Sequence, residues 1–369
     1  MRIRRSIRCL TAGILAALYL AGCAGKAGSV SETVPETTAA QTETAAKASE
    51  AEETTALQQE TVQETSAAGT GQTQAADGTD SDVDRYEELL DHSGDEGKLV
   101  VYFLDLQVEG APEEVSGDSS ILISPDGKVM LLDAGHTDSS DIVVKVLKDM
   151  GIEKIDYLVA SHPHIDHIGG VPAVMTEFPV ETAYRSYVEY TTQTYQNYVN
   201  VLKEKGTEVV FLKTGDTFSF GDQVQVEVLG PDEEIVYPDG FPDNSTQFLN
   251  NNSLLLKFTY GGSTALFGGD LYVSQERDYI DQYGDALKAD LAKANHHGKN
   301  TSNLKKWIKT VSPQVVVAMG DVMGSMDVYN NYVKEGAEFH LTLYDGIVKV
   351  VLDDQGGCEA VDQHDSWMN

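Results

Sequence analysis

Residues 161–170 read Ser-His-Pro-His-Ile-Asp-His-Ile-Gly-Gly and directly follow an apolar run at 157–160. Three histidines and an aspartate crowded together at the exit of a buried strand serve no packing purpose. They are donors that suit zinc, manganese or iron. The spacing H-x-H-x-D-H lets His162 and His164 face one way and Asp166 and His167 another, which supplies two adjacent cation positions. Gly169 and Gly170 permit a tight entry into the next helix. The chemistry of this chain therefore sits at strand ends.

Around that segment strands and helices alternate. Residues 99–106, 120–123 and 129–133 read as strands, with Pro125-Asp126-Gly127 turning between the last two. A helix starts at Ser139 or Ser140 and stops at Gly151. Further helices are predicted at 171–178 and 192–205, and short strands at 209–212, 224–229, 253–260 and 264–267. A second alternating half follows: helix 273–283, strand 291–294, helix 303–310, strand 315–318 and strand 347–352. This order predicts an α/β domain over 98–369, with two sheets sandwiched by helices. Tyr184, Tyr187, Tyr190, Tyr195 and Tyr198 cluster near one helical region; they read chiefly as core, with a substrate-lining wall as the other reading. His92, His340 and His364 read as structural or surface residues.

The N-terminus carries export features. Arg2, Arg4, Arg5 and Arg8 form a positive segment, and an apolar stretch at 10–20 is too short to span a bilayer. It ends in Leu20-Ala21-Gly22-Cys23, which resembles the lipobox of bacterial lipoproteins. That resemblance implies a signal peptide at 1–22, a diacylated Cys23 and anchoring outside the cytoplasmic membrane, since two acyl chains hold a protein stably. Of three cysteines, Cys9 leaves with the signal and Cys23 carries lipid, so Cys358 has no partner for a disulfide. Residues 23–97 are rich in Thr, Glu, Ala, Gln and Ser and read as a disordered acidic tether reaching on the order of 50 Å.

Net charge is −33, and residues 98–369 carry 19 Lys+Arg against 42 Asp+Glu. Phosphate neutralisation needs basic side chains, so a protein that coats nucleic acid is excluded. A metal-centred site is not, because bound cations override the local sign of charge.

The 162–170 segment resembles the signature of the metallo-β-lactamase-fold superfamily, and the resemblance runs from about residue 100 to 351. Asp133 in Leu131-Leu132-Asp133-Ala134-Gly135 resembles the first motif. Asp270 in Phe267-Gly268-Gly269-Asp270 resembles the metal-bridging aspartate, and His296-His297-Gly298 the late histidine motif. Gly117-Asp118-Ser119-Ser120, then Asn251-Asn252-Ser253, then His-His-Gly resemble the hydrolase domain of ComEC-type competence proteins. The resemblance implies a four-layer αββα sandwich and two divalent ions, zinc or manganese, one of them weakly held. Its implied ligands are His162, His164, Asp166, His167, Asp270 and one of His296 and His297, assigned to His296. Asp133 would hold a ligand imidazole in one tautomer. Asp166, His297 and Asn252 would act on substrate: His297 by protonating a leaving oxygen or meeting a phosphate, Asn252 by orienting an anion together with Asn251 and Ser253. The latter three also read as a turn before a strand.

Three departures stand out. No histidine lies between His167 and Asp270, residues 109–116 form an insertion, and Gly324-Ser325-Met326 stands where the subgroup has Gly-His-Pro. The expected activity is hydrolysis of phosphodiesters in small molecules or polymers outside the membrane through a metal-activated water. Nucleic-acid binding is expected to be weak. The competing class is a lactonase or β-lactamase type of ester or amide hydrolase.

Overall fold

The structure is a computed structural model. It describes residues 79–108, 110, 117–235 and 245–364, with side chains from Arg85 onward. The signal segment, Cys23, most of the polar linker and all of the 109–116 insertion except Gly110 lie outside the described residues.

The first half contains α1 (Thr79–Leu90), β1 (Leu99–Phe103), β2 (Ser120–Ile123), β3 (Val129–Leu132), α2 (Ser140–Asp149), β4 (Ile155–Ala160), α3 (Ile165–Ile168), α4 (Val171–Glu177), β5 (Val180–Ser186), α5 (Gln193–Lys205) and β6 (Glu208–Leu212). Next come β7 (Thr217–Phe220), β8 (Val224–Gly230), α6 (Thr246–Asn251), β9 (Leu255–Tyr260) and β10 (Ser263–Phe267). The remainder is α7 (Val273–Tyr283), β11 (Leu291–Lys293), α8 (Lys305–Val311), β12 (Val315–Ala318), α9 (Met326–Lys334), β13 (Glu338–Leu341), α10 (Thr342–Asp345), β14 (Val348–Leu352) and β15 (Cys358–Asp362).

Among the described residues, eight strands form one sheet in the order β15-β14-β1-β2-β3-β4-β5-β6, and seven form the other, β13-β12-β11-β10-β9-β8-β7. Strand alternation explains the layering. Leu99, Val101 and Phe103 of β1 face Phe258, Phe267, Val315 and Val317 of the second sheet, and the Phe103 and Phe267 rings stack at 5.8 Å. Val100 and Tyr102 point the other way, into a core with Val143, Val146 and Leu147 of α2 and Leu202 of α5. On β12, Val316 and Ala318 join Trp307 and Ile308 of α8 and Tyr332 of α9 on the opposite outer face. Strands buried on both faces read as continuous apolar runs, as Val315–Ala318 does. The result is the expected αββα sandwich.

Local signals set the element ends. Thr192 caps α5, accepting from Tyr195 N–H, and Gly206 closes it at φ 68°. The elements absent from the sequence reading are α1, α3, β5, β7, α6, α9, β13, α10 and β15. Strand β5 reads Val-Glu-Thr-Ala-Tyr-Arg-Ser and hides its strand character behind charges. Arg185 is buried because its guanidinium donates to the Ser186 and Val188 carbonyls and lies over the Tyr195 and Phe211 rings. The tyrosines divide accordingly. Tyr195 and Tyr198 are core, Tyr184 stacks on Phe218 at 4.8 Å, and Tyr190 stands edge-on to His164.

The folded part begins before Lys98, a correction to the boundary set from composition. Leu89 and Leu90 of α1 are both 4 % exposed and join the outer core, Tyr86 OH donates to Asp149 at 2.8 Å, and His92 Nε2 lies 3.0 Å from Met150 O. Two apolar residues at the end of an acidic stretch are enough to dock one turn of helix. Among the described residues no helix is long and apolar enough to cross a membrane, and Cys358 is a free thiol. Leu89→Ala should cost about 2–5 kcal/mol, the usual range for a buried leucine, and lower the urea midpoint. An unchanged midpoint would mean that α1 contributes nothing to the core.

Candidate metal centre

The parallel strands of both sheets deliver their carboxyl ends to one place. Strand β4 runs out into Ser161 and His162, and His164 precedes the single turn α3. Strand β10 leads to Asp270, β11 to His296 and His297, and β3 to Asp133. Asp133, His296 and His297 all adopt left-handed backbone, with φ of 60°, 48° and 53°. Non-glycine residues hold such conformations only where the surroundings over-determine them.

Asp270 is the common partner. Its Oδ2 lies 3.3 Å from His167 Nε2, 3.3 Å from His297 Nε2, 3.9 Å from His296 Nε2 and 4.0 Å from His162 Nε2. Asp166 Oδ2 lies 3.2 Å from His297 Nε2 and 3.6 Å from His167 Nε2. One donor atom from each of Asp166, His167, Asp270 and His297 falls within 4.8 Å of the other three. Metal–donor distances of about 2.0–2.2 Å produce spacings of this order. His167 Nε2 is buried with no hydrogen-bond partner, as expected of a nitrogen that waits for a cation. The residues present therefore fit a divalent ion. On the other side, His162 Nε2 and His164 Nδ1 lie 2.9 Å apart.

Buried carboxylates hold the imidazoles from behind. Asp133 accepts from Ser161 N–H at 2.8 Å and from Ser161 Oγ at 2.6 Å, and its Oδ2 lies 2.9 Å from His167 Nδ1. Asp118 Oδ1 lies 3.0 Å from His297 Nδ1. Each acid thus fixes the far nitrogen of one ring and aims the other inward. Lys293 Nζ pairs with Asp118, lies 3.4 Å from Asp270 Oδ1 and donates to Gly269 O at 2.8 Å. That cation occupies Oδ1 of Asp270 and leaves Oδ2 to the histidines. Glu276 anchors the histidine loop, accepting from Asn295 Nδ2, Asn303 N–H and Leu304 N–H. Gly117 has no room for a side chain, since a Cβ would sit 1.9 Å from Asp166 O.

Charge is balanced inside the centre. Burial alone would raise the Asp270 carboxyl, but His297, His167 and Lys293 hold it well below the usual range. Asp166 is held low against burial by His167 and His297. Burial would lower His167 and His297, yet the surrounding carboxylates push both well above an ordinary imidazole. His162 and His164 go down, chiefly by burial, and burial takes His296 down to about 4.

The residues singled out for the metals in the sequence are brought together here. His297 falls in the tight donor group, while His296 Nε2 stands 3.9 Å from Asp270 Oδ2, its ring stacked on Tyr272 at 4.8 Å and its Nδ1 2.6 Å from Thr301 Oγ1. Asn252 donates its amide to Phe248 O at the end of α6. Asn251 takes Tyr272 N–H and bonds Ser274, and Ser253 Oγ accepts from Asp270 N–H; these two hold the Asp270 turn. Sequence reasoning missed Asp118 and Lys293 as site residues. Each had a signal, an acid ahead of a buried strand and a lysine inside an apolar one. Ser325, where the subgroup has histidine, caps α9 by accepting from Val328 N–H, and Gly324 abuts the backbone of His297 and Gly298.

An αββα sandwich with a His/Asp centre at the strand ends defines a class of metallo-hydrolases. The chain belongs to the metallo-beta-lactamase superfamily, whose family model matches residues 115–319. It is 25% identical over 176 residues to ComE operon protein 3 of Bacillus subtilis (strain 168), covering 48% of this chain and 21% of that protein. It is 26% identical over 229 residues to Competence protein ComA of Neisseria gonorrhoeae, covering 60% and 29%. The chain thus spans less than a third of the length of either relative. Among solved structures, the metallo-beta-lactamase fold protein YhfI from Bacillus subtilis aligns with a TM-score of 0.40 at 12% identity, over 72% of this chain and 100% of that one.

Asp133→Asn and Asp118→Asn should each weaken zinc binding about 10–100-fold, as loss of a carboxylate behind a ligand imidazole does, measured by competition with a chelator. Zinc must displace the protons that His167 and His297 hold in the metal-free protein. Affinity should therefore rise with pH until their raised values are passed, and calorimetry in buffers of different ionisation enthalpy should detect proton release. Binding independent of pH between 6 and 8 would contradict the protonation described.

Proposed function

We propose that this chain hydrolyses phosphodiesters in a metal-dependent reaction, outside the cytoplasmic membrane and tethered through lipid on Cys23. The observation that carries the hydrolytic reading is the convergence of His162, His167, His296 and His297 about one carboxylate oxygen, Asp270 Oδ2, with Asp166 beside His167 and His297 and His164 beside His162. The phosphodiester reading is supported by the ordered Gly-Asp-Ser-Ser, Asn-Asn-Ser and His-His-Gly motifs and by the similarity to competence proteins.

Divalent ions, zinc or manganese, would supply a Lewis acid and a water of lowered pKa. The chain's own groups set the geometry. Asp118 and Asp133 keep His297 and His167 oriented, so no reorganisation is needed during reaction. His296 is held neutral at the rim; when Nδ1 accepts from Thr301, Nε2–H is free to donate to a substrate oxygen. The open side is lined by Asp166, His297, Lys299, Gly320 and Val322, and Lys299 offers a cation to a phosphate oxygen. The acidic surface favours short phosphodiesters over long duplexes.

Metal-loaded protein should turn over bis-p-nitrophenyl phosphate faster than nitrocefin, with weak, salt-sensitive binding of single-stranded DNA. Asp270→Ala should lose metal and at least about 100-fold in kcat/KM, since it removes the partner of four histidines. A nitrocefin rate that dominates, and vanishes in His164→Ala, would assign the protein to the ester and amide hydrolases instead. Cys23→Ala should move the protein out of the membrane fraction. Unchanged fractionation with no lipid on the N-terminal peptide would remove the anchor from the proposal.

A further inference from the structure

A second cluster of metal-binding residues shares no member with the centre above. His340 lies on β13, an edge of the seven-stranded sheet, and Asp362 ends β15, an edge of the eight-stranded sheet. Asp345 closes the turn α10 between them in sequence. All three are buried, at 3 %, 7 % and 1 % exposure respectively. His340 Nδ1 lies 3.5 Å from Asp362 Oδ2 and 3.6 Å from Asp345 Oδ2, beyond hydrogen-bond reach, and it has no hydrogen-bond partner. One donor atom from each falls within 4.8 Å of the other two.

The other nitrogen of the ring settles what Nδ1 presents. His340 Nε2 lies 3.2 Å from Glu338 Oε1, and an ionised carboxylate only accepts, so Nε2 carries the hydrogen. Burial would lower this imidazole, but Asp345, Glu338 and Asp362 raise it above an ordinary ring. In the metal-free protein a proton on Nδ1 therefore supplies the positive charge between the two buried carboxylates, and a divalent ion in the same place would displace it. A carboxylate on the far nitrogen is also the usual support of a metal-ligating histidine. Tetrahedral zinc, with bonds of about 2.0–2.2 Å, places neighbouring donors about 3.3–3.6 Å apart, which matches the two distances here. Asp345 is held from behind, its Oδ2 accepting from Leu341 N–H at 2.7 Å, while its Oδ1 is buried without a partner. Arg85 Nη2 lies 3.5 Å from Asp362 Oδ1.

We propose that His340 Nδ1, Asp345 and Asp362 bind a structural divalent cation of the zinc class, with water as a fourth donor, which pins the edge strands β13 and β15 of the two sheets to one another. This ion lies outside the hydrolytic centre and is independent of the substrate proposed for it. Because the unfolded chain cannot assemble the site, the ion stabilises the native state alone.

The test uses the full chain saturated with zinc and then freed of excess. Wild type should hold one more zinc per chain than His340→Gln, by elemental analysis. The variant should lose that equivalent together with part of the zinc-dependent rise in thermal midpoint, and keep hydrolysis of bis-p-nitrophenyl phosphate within about twofold. Asp345→Asn should behave in the same way. Nitrogen-15 NMR of wild-type histidines provides a reading that needs no variant. Zinc saturation should show His340 as a neutral, Nδ1-liganded ring. Equal zinc content in wild type and both variants, or an imidazolium at His340 in the zinc-saturated protein, would show that a proton alone fills the site and would overturn the proposal.

Discussion

One carboxylate oxygen, Asp270 Oδ2, lies within 4.0 Å of imidazole nitrogens that arrive from both sheets: His162 and His167 after β4, His296 and His297 after β11. Taking an aspartate to 2 % exposure is costly unless charges of the other sign surround it. Here two imidazoliums and Lys293 supply them, and a divalent ion can take the place of their protons. The strand ends, the glycine turn before Asp270 and the packing of the two sheets all serve to bring those groups within reach of one atom.

That arrangement depends on a rigid frame. Asp133 sits in left-handed backbone and spends both oxygens on Ser161 and His167. The two consecutive histidines also adopt left-handed conformations, in a loop bound from behind by Glu276 through three donors. Local strain and buried acids of this kind are tolerated where function needs them. Replacing any one of these supports would leave the ligating residues in the chain and still blunt the site.

The charge distribution separates two scales. At the level of the whole chain, −33 repels polyanions. Within the centre the carboxylates offset the imidazoles and Lys293, and a bound divalent ion would tip the balance to positive over a few ångströms. A small anion would meet mainly that local field, whereas a long polyanion would meet both.

The layers, the family and the position of the chemistry were legible in the sequence. Alternating apolar patterns specify which side chains face each core, and the dense His/Asp run after β4 has few other uses. Strands β5 and β15 were not legible, because each carries charges that only neighbours neutralise or leave at an edge, as the rings over Arg185 show. The helix α1 was lost in an acidic stretch whose two docking leucines are evident only once the core they enter is present. The sequence by itself determined the donor types and their local spacing, since those are covalent facts of 162–167. Only the tertiary structure decided that His297 rather than His296 joins the donor group, and that Asp118 and Lys293 belong to the site. It alone also turned Asn252 to its own helix and set His340 between two aspartates. Those outcomes depend on contacts between residues up to 179 apart in the chain, which no local pattern encodes.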